Sequence, residues 1–400
     1  GGVFIKKSFL DLGVHVVDAL VDKYSIDTSK LDELIFGTVL LDPRTPNAAR
    51  ELVLRSKLPN TLSAHFISNN CISGLVASTM LAEGIQSGRI QRGIAGGSES
   101  MSKPTLTLSR SGEAFFLKLA RARSLGERLG ILSSFRPKML FPQPPSPKEP
   151  STGKTMGQHC EITAQEFDIA RAAQDELALA SHKHGAAAQE AGYLAEEIAP
   201  LDGVDKDNII RASTSLEKLS SLKPVFDRGP KGTLTAGNSS PLTDGASVVY
   251  LVSEEVARSE GLDILGYIEA VEYAAIDPND GLLMAPGLAL PALLHKKGLG
   301  ISDIDIFEIH EAFAAQVLSN MEVWEKGWQK YPDLKPIGKF PVERINQCGG
   351  SIAIGHPFAA TGGRLIMSVV NQLKRNNQRK GVISVCAAGA MGCAMLISRD

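Results

Sequence analysis

Apolar and polar positions alternate through the stretch "TLSAHFIS" (61–68), the period of a half-buried strand. A few residues later Ile72, Leu75, Val76, Thr79 and Met80 recur at helical spacing. Cys71 therefore falls where a strand turns into a helix, beside the free backbone N–H groups of a first helical turn. The surrounding chain continues the theme. "LGVHVVDALVDKY" (12–24) reads as a helix, "DELIFGTVL" (32–40) as a strand, and "RGIAGGSES" (92–100) as a strand and turn. Together they predict an α/β unit.

A similar series recurs from about residue 262. "DIDIFEIHEAFAAQVLSNM" (303–321) is a strand running into a helix, and "IGHPFAATGGRLIMSVVNQLKRNN" (354–377) is a glycine-rich loop feeding another. "GVISVCAAGAMGCAMLIS" (381–398) reads as strand, small-residue turn and strand. The shared order of elements points to a duplicated fold with halves at 1–105 plus 236–261 and at 262–400.

Composition shifts in the inserted segment, 106–235. "FPQPPSPKEPSTG" (141–153) is proline-rich and reads as an irregular loop. Before it, Phe115, Leu119, Ala122, Leu129 and Leu132 follow roughly helical spacing across 111–135. Arg110, Lys118, Arg121, Arg123, Arg128 and Arg136 accompany them, against Glu113 and Glu127. Such a basic amphipathic helix either lies on a membrane, docks a partner, or packs as a surface helix on its own core.

At 400 residues, 43% hydrophobic and 22% charged, the chain has the make-up of a soluble globular protein of two or three domains. A formal net charge of −2 gives no global electrostatic case for nucleic acid. The five cysteines (71, 160, 348, 386, 393) are scattered and lack a CxxC pair, which favours free thiols in a reducing compartment over a disulfide framework or a metal site. The chain opens "GGVFIKKSFLDLG", without methionine, as expected for a sequence that begins inside a longer gene product, beyond a targeting peptide.

Four residues carry the candidate chemistry. A free cysteine is usually a small buried hydrophobe, but at a helix N-terminus Cys71 is expected to be a lowered-pKa, nucleophilic thiolate. His356 lies among five glycines (349, 350, 355, 362, 363), which permit close backbone approach to a ligand. His310 sits where a strand ends and a helix starts. Its bland alternative is a helix N-terminus with Glu311 favouring the dipole. Cys386 enters the turn "CAAGAMG" at the end of "GVISV", or is a second buried hydrophobe. All four fall at strand ends, where α/β sheets bind ligands.

In this order the motifs resemble those of the thiolase superfamily over essentially the whole length. "NNCISG" is similar to its nucleophile segment, "GGSESMS" to the turn that follows, and "KGTLTAGNSSPLTDGAS" to its pantetheine-binding block. "HEAFAAQ", "GGSIAIGHPFAATG" and "CAAGAMG" resemble its three remaining active-site blocks. The HEAF histidine, where many members have asparagine, the "CAAG" block and the insertion "RARSLGERLGILSSFRPKML" look most like the β-subunit type of the mitochondrial trifunctional fatty-acid oxidation enzyme.

The resemblance implies an α/β thiolase fold: two βαβαβαββ halves in a layered α-β-α-β-α core, plus an inserted loop domain. It implies retro-Claisen cleavage of medium- or long-chain 3-ketoacyl-CoA by CoA, giving acetyl-CoA and a shortened acyl-CoA. Cys71 is then the nucleophile, His356 its base, His310 the donor to the enolate oxygen and Cys386 the acid for the enolate carbon. The backbone N–H groups of Cys71 and Ala388 form the second oxyanion site, and Ser240, Met156, Phe313 and Gly355 line the CoA and substrate path. CoA is a substrate, and no cofactor or metal is expected. A homodimer or tetramer, a trifunctional α-subunit partner, membrane contact through 111–135, and a mitochondrial or else peroxisomal location also follow from the resemblance alone.

The chain departs from the family at Ala388 and Ala390, where many members have glycine, and this bears on chain-length preference. Nothing like the family's first strand, with its "RTPF"-like sequence, precedes "FLDLG", so the N-terminal sheet is expected to lack it. The competing readings are an acetoacetyl-CoA thiolase, a 3-ketoacyl synthase, and a non-catalytic CoA- or lipid-binding scaffold.

Overall fold

A computed structural model describes residues 2–399. The first half contributes α1 (Phe9–Tyr24), β1 (Glu33–Gly37), α2 (Ala48–Arg55), β2 (Ser63–Ile67), α3 (Ser73–Gln86) and β3 (Arg92–Glu99). The chain then leaves for a long excursion. It holds a short antiparallel hairpin of β4 (Thr107–Leu108) and β5 (Pro142–Gln143). Its helices are α4 (Arg110–Arg121), α5 (Leu125–Leu132), α6 (Met156–Glu166), α7 (Arg171–Glu190) and α8 (Leu216–Ser220). The return strand β6 (Gly245–Val252) pairs antiparallel with β3 and completes a sheet of order β2-β1-β3-β6.

After α9 (Glu254–Ser259) the second half contributes β7 (Tyr267–Ala275), α10 (Pro286–Lys297), β8 (Ile306–Ile309) and α11 (Ala314–Lys326). It ends with α12 (Ser351–Ile354), α13 (Thr361–Asn376), β9 (Lys380–Ala387) and β10 (Met391–Ser398). Its sheet runs β7-β10-β9-β8. β8 and β9 are parallel and β10 is antiparallel to β9, repeating the senses of β1, β3 and β6. An isolated parallel bridge, Phe307 to Ile345, stands beside β8 as β2 stands beside β1.

The strand period of two sorts side chains between layers. In β1, Leu34 and Phe36 join the core under α1 and α2, while Ile35 points the other way into the central core. In β9, Val382 faces α10 and α11, while Ile383 and Val385 face the same central core from the opposite side. That central core contains α3 (Leu75, Ala77, Leu81) and α13 (Leu365, Val369, Leu373). The result is five layers, α-β-α-β-α, with α3 and α13 buried between two sheets. Each fully buried Leu, Ile or Val there contributes about 1.5–3 kcal/mol of transfer free energy.

Two expectations are corrected. The strand read over 32–40 stops at Gly37, because the buried Glu99 carboxylate accepts from Thr38 Oγ1 (2.8 Å), Val39 N (3.0 Å) and Leu40 N (2.8 Å) and turns the chain away. The single basic helix over 111–135 is two helices. Ser124 caps α5 through a capping box with Glu127, which stops α4 from continuing. Of the readings for this segment, packing on the chain's own core holds for α4, which buries Phe115, and not for α5, which buries none of its side chains.

Among the described residues no strand lies beyond β6, on the side where β10 carries β7. A groove of about 1410 Å³ follows that edge, between β6, α1 and residues 261–268. It passes behind the His356 loop at Gly355, Pro357 and Thr361, but Cys71, His310 and Cys386 do not line it.

Candidate active site

Cys71 occupies the elbow between β2 and α3. Asn70 holds a left-handed backbone (φ +50°), and its Nδ2 donates to Ala388 O (3.0 Å). Ser73 Oγ accepts from Asn69 N (2.8 Å) and donates to Asn70 O (2.7 Å), tightening the turn. The backbone N–H groups of Ala388 and of Cys71 itself point at the sulfur and favour its charged form. Burial outweighs them and pushes the thiol up to about 12. The expectation of a resting thiolate is therefore corrected: desolvation in the closed elbow exceeds the stabilisation by the helix terminus.

His356 Nε2 lies 3.1 Å from Cys71 Sγ, and His356 Nδ1 lies 2.7 Å from Thr361 Oγ1. A ring that accepts the thiol proton at Nε2 carries its own proton on Nδ1, donated to the threonine. Burial first, then the Arg364 charge, holds this imidazole down to about 3. At neutral pH the pair is thus a neutral thiol against a neutral base. The His356 loop is bound to the Ser240 segment by its N–H to Pro241 O (3.1 Å).

The two halves meet here without side chains between them. A Cβ on Gly74 of α3 would lie 2.7 Å from Ala359 O and 3.1 Å from Gly363 N; one on Gly362 of α13 would lie 2.4 Å from Leu75 N. Glycine at these positions lets α3, which follows Cys71, and α13, which follows His356, touch backbone to backbone.

His310 is fully buried at the end of β8, its N–H bonded to Ser384 O (2.8 Å). Its ring centre lies 4.1 Å from that of His356. Nδ1 is 2.8 Å from Ser351 Oγ, while buried Nε2 has no protein partner. Glu311 does not serve a helix dipole, since α11 begins only at Ala314. Its buried carboxylate instead accepts from Ser181 Oγ (2.7 Å), Asn346 Nδ2 and Ile352 N (3.1 Å), tying the end of β8 to the loop that precedes His356.

Cys386, next to last in β9, is buried, and its thiol is pushed well up by desolvation and then by the neighbouring Cys71 and Cys160 sulfurs. It shares an apolar cluster with Phe313, Cys160 and Leu234, against which Met156 packs. Ser240 joins the same wall, its N and Oγ both donating to Ala312 O (3.0 Å each). Gly355 adjoins His356 at φ +107°, where a Cβ would lie 2.6 Å from the Thr243 side chain. Ala388 and Ala390 flank Gly389 in the β9–β10 turn, and Ala390 takes a left-handed φ of +58° without being glycine.

Several contributors carried no signal in the sequence. Ser351 Oγ and Thr361 Oγ1 each meet an imidazole at its Nδ1, and Arg364 Nη2 reaches Ser351 Oγ. Glu149, inside the proline-rich stretch read as irregular loop, accepts from Gly389 N (3.0 Å) and clamps the turn that bears Ala388. Finding it required the tertiary fold.

Nearly the whole chain matches two family models, "Thiolase, N-terminal domain" over residues 1–255 and "Thiolase, C-terminal domain" over 262–399. It is 40% identical over 400 residues to a 3-ketoacyl-CoA thiolase of Colwellia psychrerythraea, covering 98% of this chain and 92% of that one. It is 39% identical over 401 residues to a 3-ketoacyl-CoA thiolase of Shewanella sediminis, covering 98% and 91%. Among solved structures it is similar to the Bacillus anthracis acetyl-CoA acetyltransferase, with TM-score 0.81, 30% identity, and 100% and 94% of the two chains covered. With both domain models matched end to end and the five-layer duplicated core in place, the chain belongs to the thiolase family.

Proposed function

We propose that the protein is a 3-ketoacyl-CoA thiolase that cleaves its substrate through an acyl-enzyme on Cys71. The observation that carries this reading is the 3.1 Å contact of Cys71 Sγ with His356 Nε2 across the two halves, beside a second buried thiol and a second imidazole. The 3-ketoacyl-CoA thiolases among its relatives, at about 40% identity over nearly the whole chain, support it.

The sulfur attacks the 3-keto carbon as its proton passes to His356 Nε2. The backbone N–H groups of Cys71 and Ala388 receive the new oxyanion. As the carbon–carbon bond breaks, its electron pair enters the acetyl-CoA enolate, whose oxygen accepts from His310 Nε2–H and whose carbon takes the Cys386 proton. The His356 proton returns to the Cys386 sulfur, leaving both neutral. Incoming CoA then gives its thiol proton to His356 and attacks the acyl group, and the expelled Cys71 thiolate recovers that proton. One such oxyanion donor is worth about 3–4 kcal/mol of transition-state stabilisation.

Thiolysis of short, medium and long 3-ketoacyl-CoAs, followed by acetyl-CoA release, tests the reading. Turnover that rises with chain length supports it. Turnover on acetoacetyl-CoA alone moves the protein to the acetoacetyl-CoA branch, and bound CoA without turnover leaves a scaffold.

A membrane role rests on a separate observation. Leu125 (74% exposed), Leu129 and Leu132 of α5 and Phe141 (69% exposed) are open to solvent amid Arg121, Arg123, Arg128 and Arg136. Apolar side chains ringed by cations fit an anionic bilayer surface. Among the described residues no helix is long and apolar enough to cross a membrane, so the contact is peripheral. The dimeric or tetrameric assembly rests on the resemblance to the family, and the α-subunit partner and mitochondrial location on the HEAF, CAAG and insertion motifs. The curated relatives named above are bacterial.

A further inference from the structure

The proposed chemistry asks opposite things of two imidazoles whose centres are 4.1 Å apart. His356 Nε2 must accept a proton, whereas His310 Nε2 must donate a hydrogen bond. The partner of each Nδ1 decides which nitrogen is protonated.

For His310 that partner is Ser351 Oγ at 2.8 Å, and Ser351 Oγ lies 3.3 Å from Arg364 Nη2. A guanidinium can only donate, so the serine oxygen accepts from Arg364, and among the described residues His310 Nδ1 is the one acceptor within hydrogen-bond reach of the serine O–H, which therefore donates to it. A neutral ring that accepts at Nδ1 carries its proton on Nε2, the buried atom with no protein partner. Burial first, then the neighbouring His356 ring and the Arg364 guanidinium, keeps this ring neutral.

The serine is placed by its surroundings rather than by its own four-residue helix. Ser181 Oγ accepts from Gly350 N (3.0 Å) and donates to Glu311, and the Glu311 carboxylate accepts from Ile352 N. These bonds grip the backbone on both sides of Ser351. A Cβ on Gly350 would sit 2.1 Å from that carboxylate, so the grip requires glycine there.

We infer that Ser351 and Arg364 are positioning residues that lock His310 in the Nε2–H tautomer. The catalytic use of that N–H rests on the thiolytic reading above; the tautomer itself does not.

The test is a long-range 1H–15N spectrum of 15N-histidine-labelled full-length protein, with His310 assigned by His310→Gln. The expected wild-type result is a bare, pyridine-type Nδ1 and a protonated Nε2. Ser351→Ala should weaken that preference and lower kcat about ten-fold or more. The KM for CoA and the rate at which iodoacetamide alkylates Cys71 should stay unchanged, which a general loss of structure would not allow. A proton on His310 Nδ1 in the wild type overturns the inference. So does Ser351→Ala with an unaltered spectrum and kcat within two-fold of wild type. If Ser351→Ala does not fold, Arg364→Met takes its place with the same readouts. Absence of thiolysis in the wild type would refute the proposed function, while the spectrum would still decide the tautomer.

Discussion

Cys71 Sγ lies 3.1 Å from His356 Nε2, and neither group is charged at rest. Burial raises the thiol to about 12 and lowers the imidazole to about 3. The proton therefore moves during attack, not before it.

This fixes the sign of a pH profile. A thiol titrating near 12 gains thiolate steadily as pH rises, so the logarithm of the iodoacetamide inactivation rate should climb without a plateau from pH 6 to 10. His356, already neutral throughout that range, adds no inflection. A plateau beginning below pH 8 would instead mark a preformed thiolate–imidazolium pair.

Cys386 and Cys71 should fail differently. Cys71→Ala should abolish acyl-enzyme formation and cleavage together. Cys386→Ala removes the proton source for the enolate carbon but leaves the nucleophile and its base. It should still take an acyl group from acyl-CoA while losing carbon–carbon cleavage by about 100-fold or more. Mass spectrometry of the intact protein beside a thiolysis assay separates the two.

The backbone contact of α3 with α13 makes Gly74 sensitive. In an unhindered helix Gly→Ala gains about 0.5–1 kcal/mol. At Gly74 the new methyl meets Ala359 O at 2.7 Å, an overpacking that costs about 1–3 kcal/mol. Gly74→Ala should lower Tm by a few degrees and spread Cys71 from His356, reducing kcat/KM by as much as about 100-fold. Gly130→Ala in α5, with nothing near its Cβ position, should hold or raise Tm. Equal behaviour of the two would contradict the backbone-contact account.

The α5 face makes a further prediction. Replacing Leu125 and Leu129 with Asp, or Arg121, Arg123 and Arg128 with Glu, should abolish sedimentation with anionic vesicles at unchanged thiolysis. Because these side chains are exposed, Tm should move little. Sedimentation that survives both changes would turn the face over to a protein partner.

What the sequence disclosed follows from the range of the forces involved. The elbow at Cys71, the strand-end position of His310 and the repeated strand–helix order are local patterns, and period and turn chemistry expose them. Two local readings fail for different reasons: the strand through Leu40, where Glu99, distant in sequence, captures the backbone, and the long basic helix, where the local pair Ser124 and Glu127 caps a new start. The charge state of Cys71 was misread because burial is set by the second half of the chain. Glu149, Thr361, Ser351 and Arg364 were invisible, since each acts on a residue brought near only by the fold.

The helical layer between the sheets has a consequence for how the protein acquires activity. The strands of the second sheet come from one continuous stretch, and the first sheet closes once β6 returns from the excursion. The layer of α3 and α13 needs both sheets at once. The thiol–imidazole contact, 285 positions apart in sequence, belongs to that last docking step. On refolding, backbone structure should return ahead of the capacity to form an acyl-enzyme, and the interval between the two is the time the halves take to find each other.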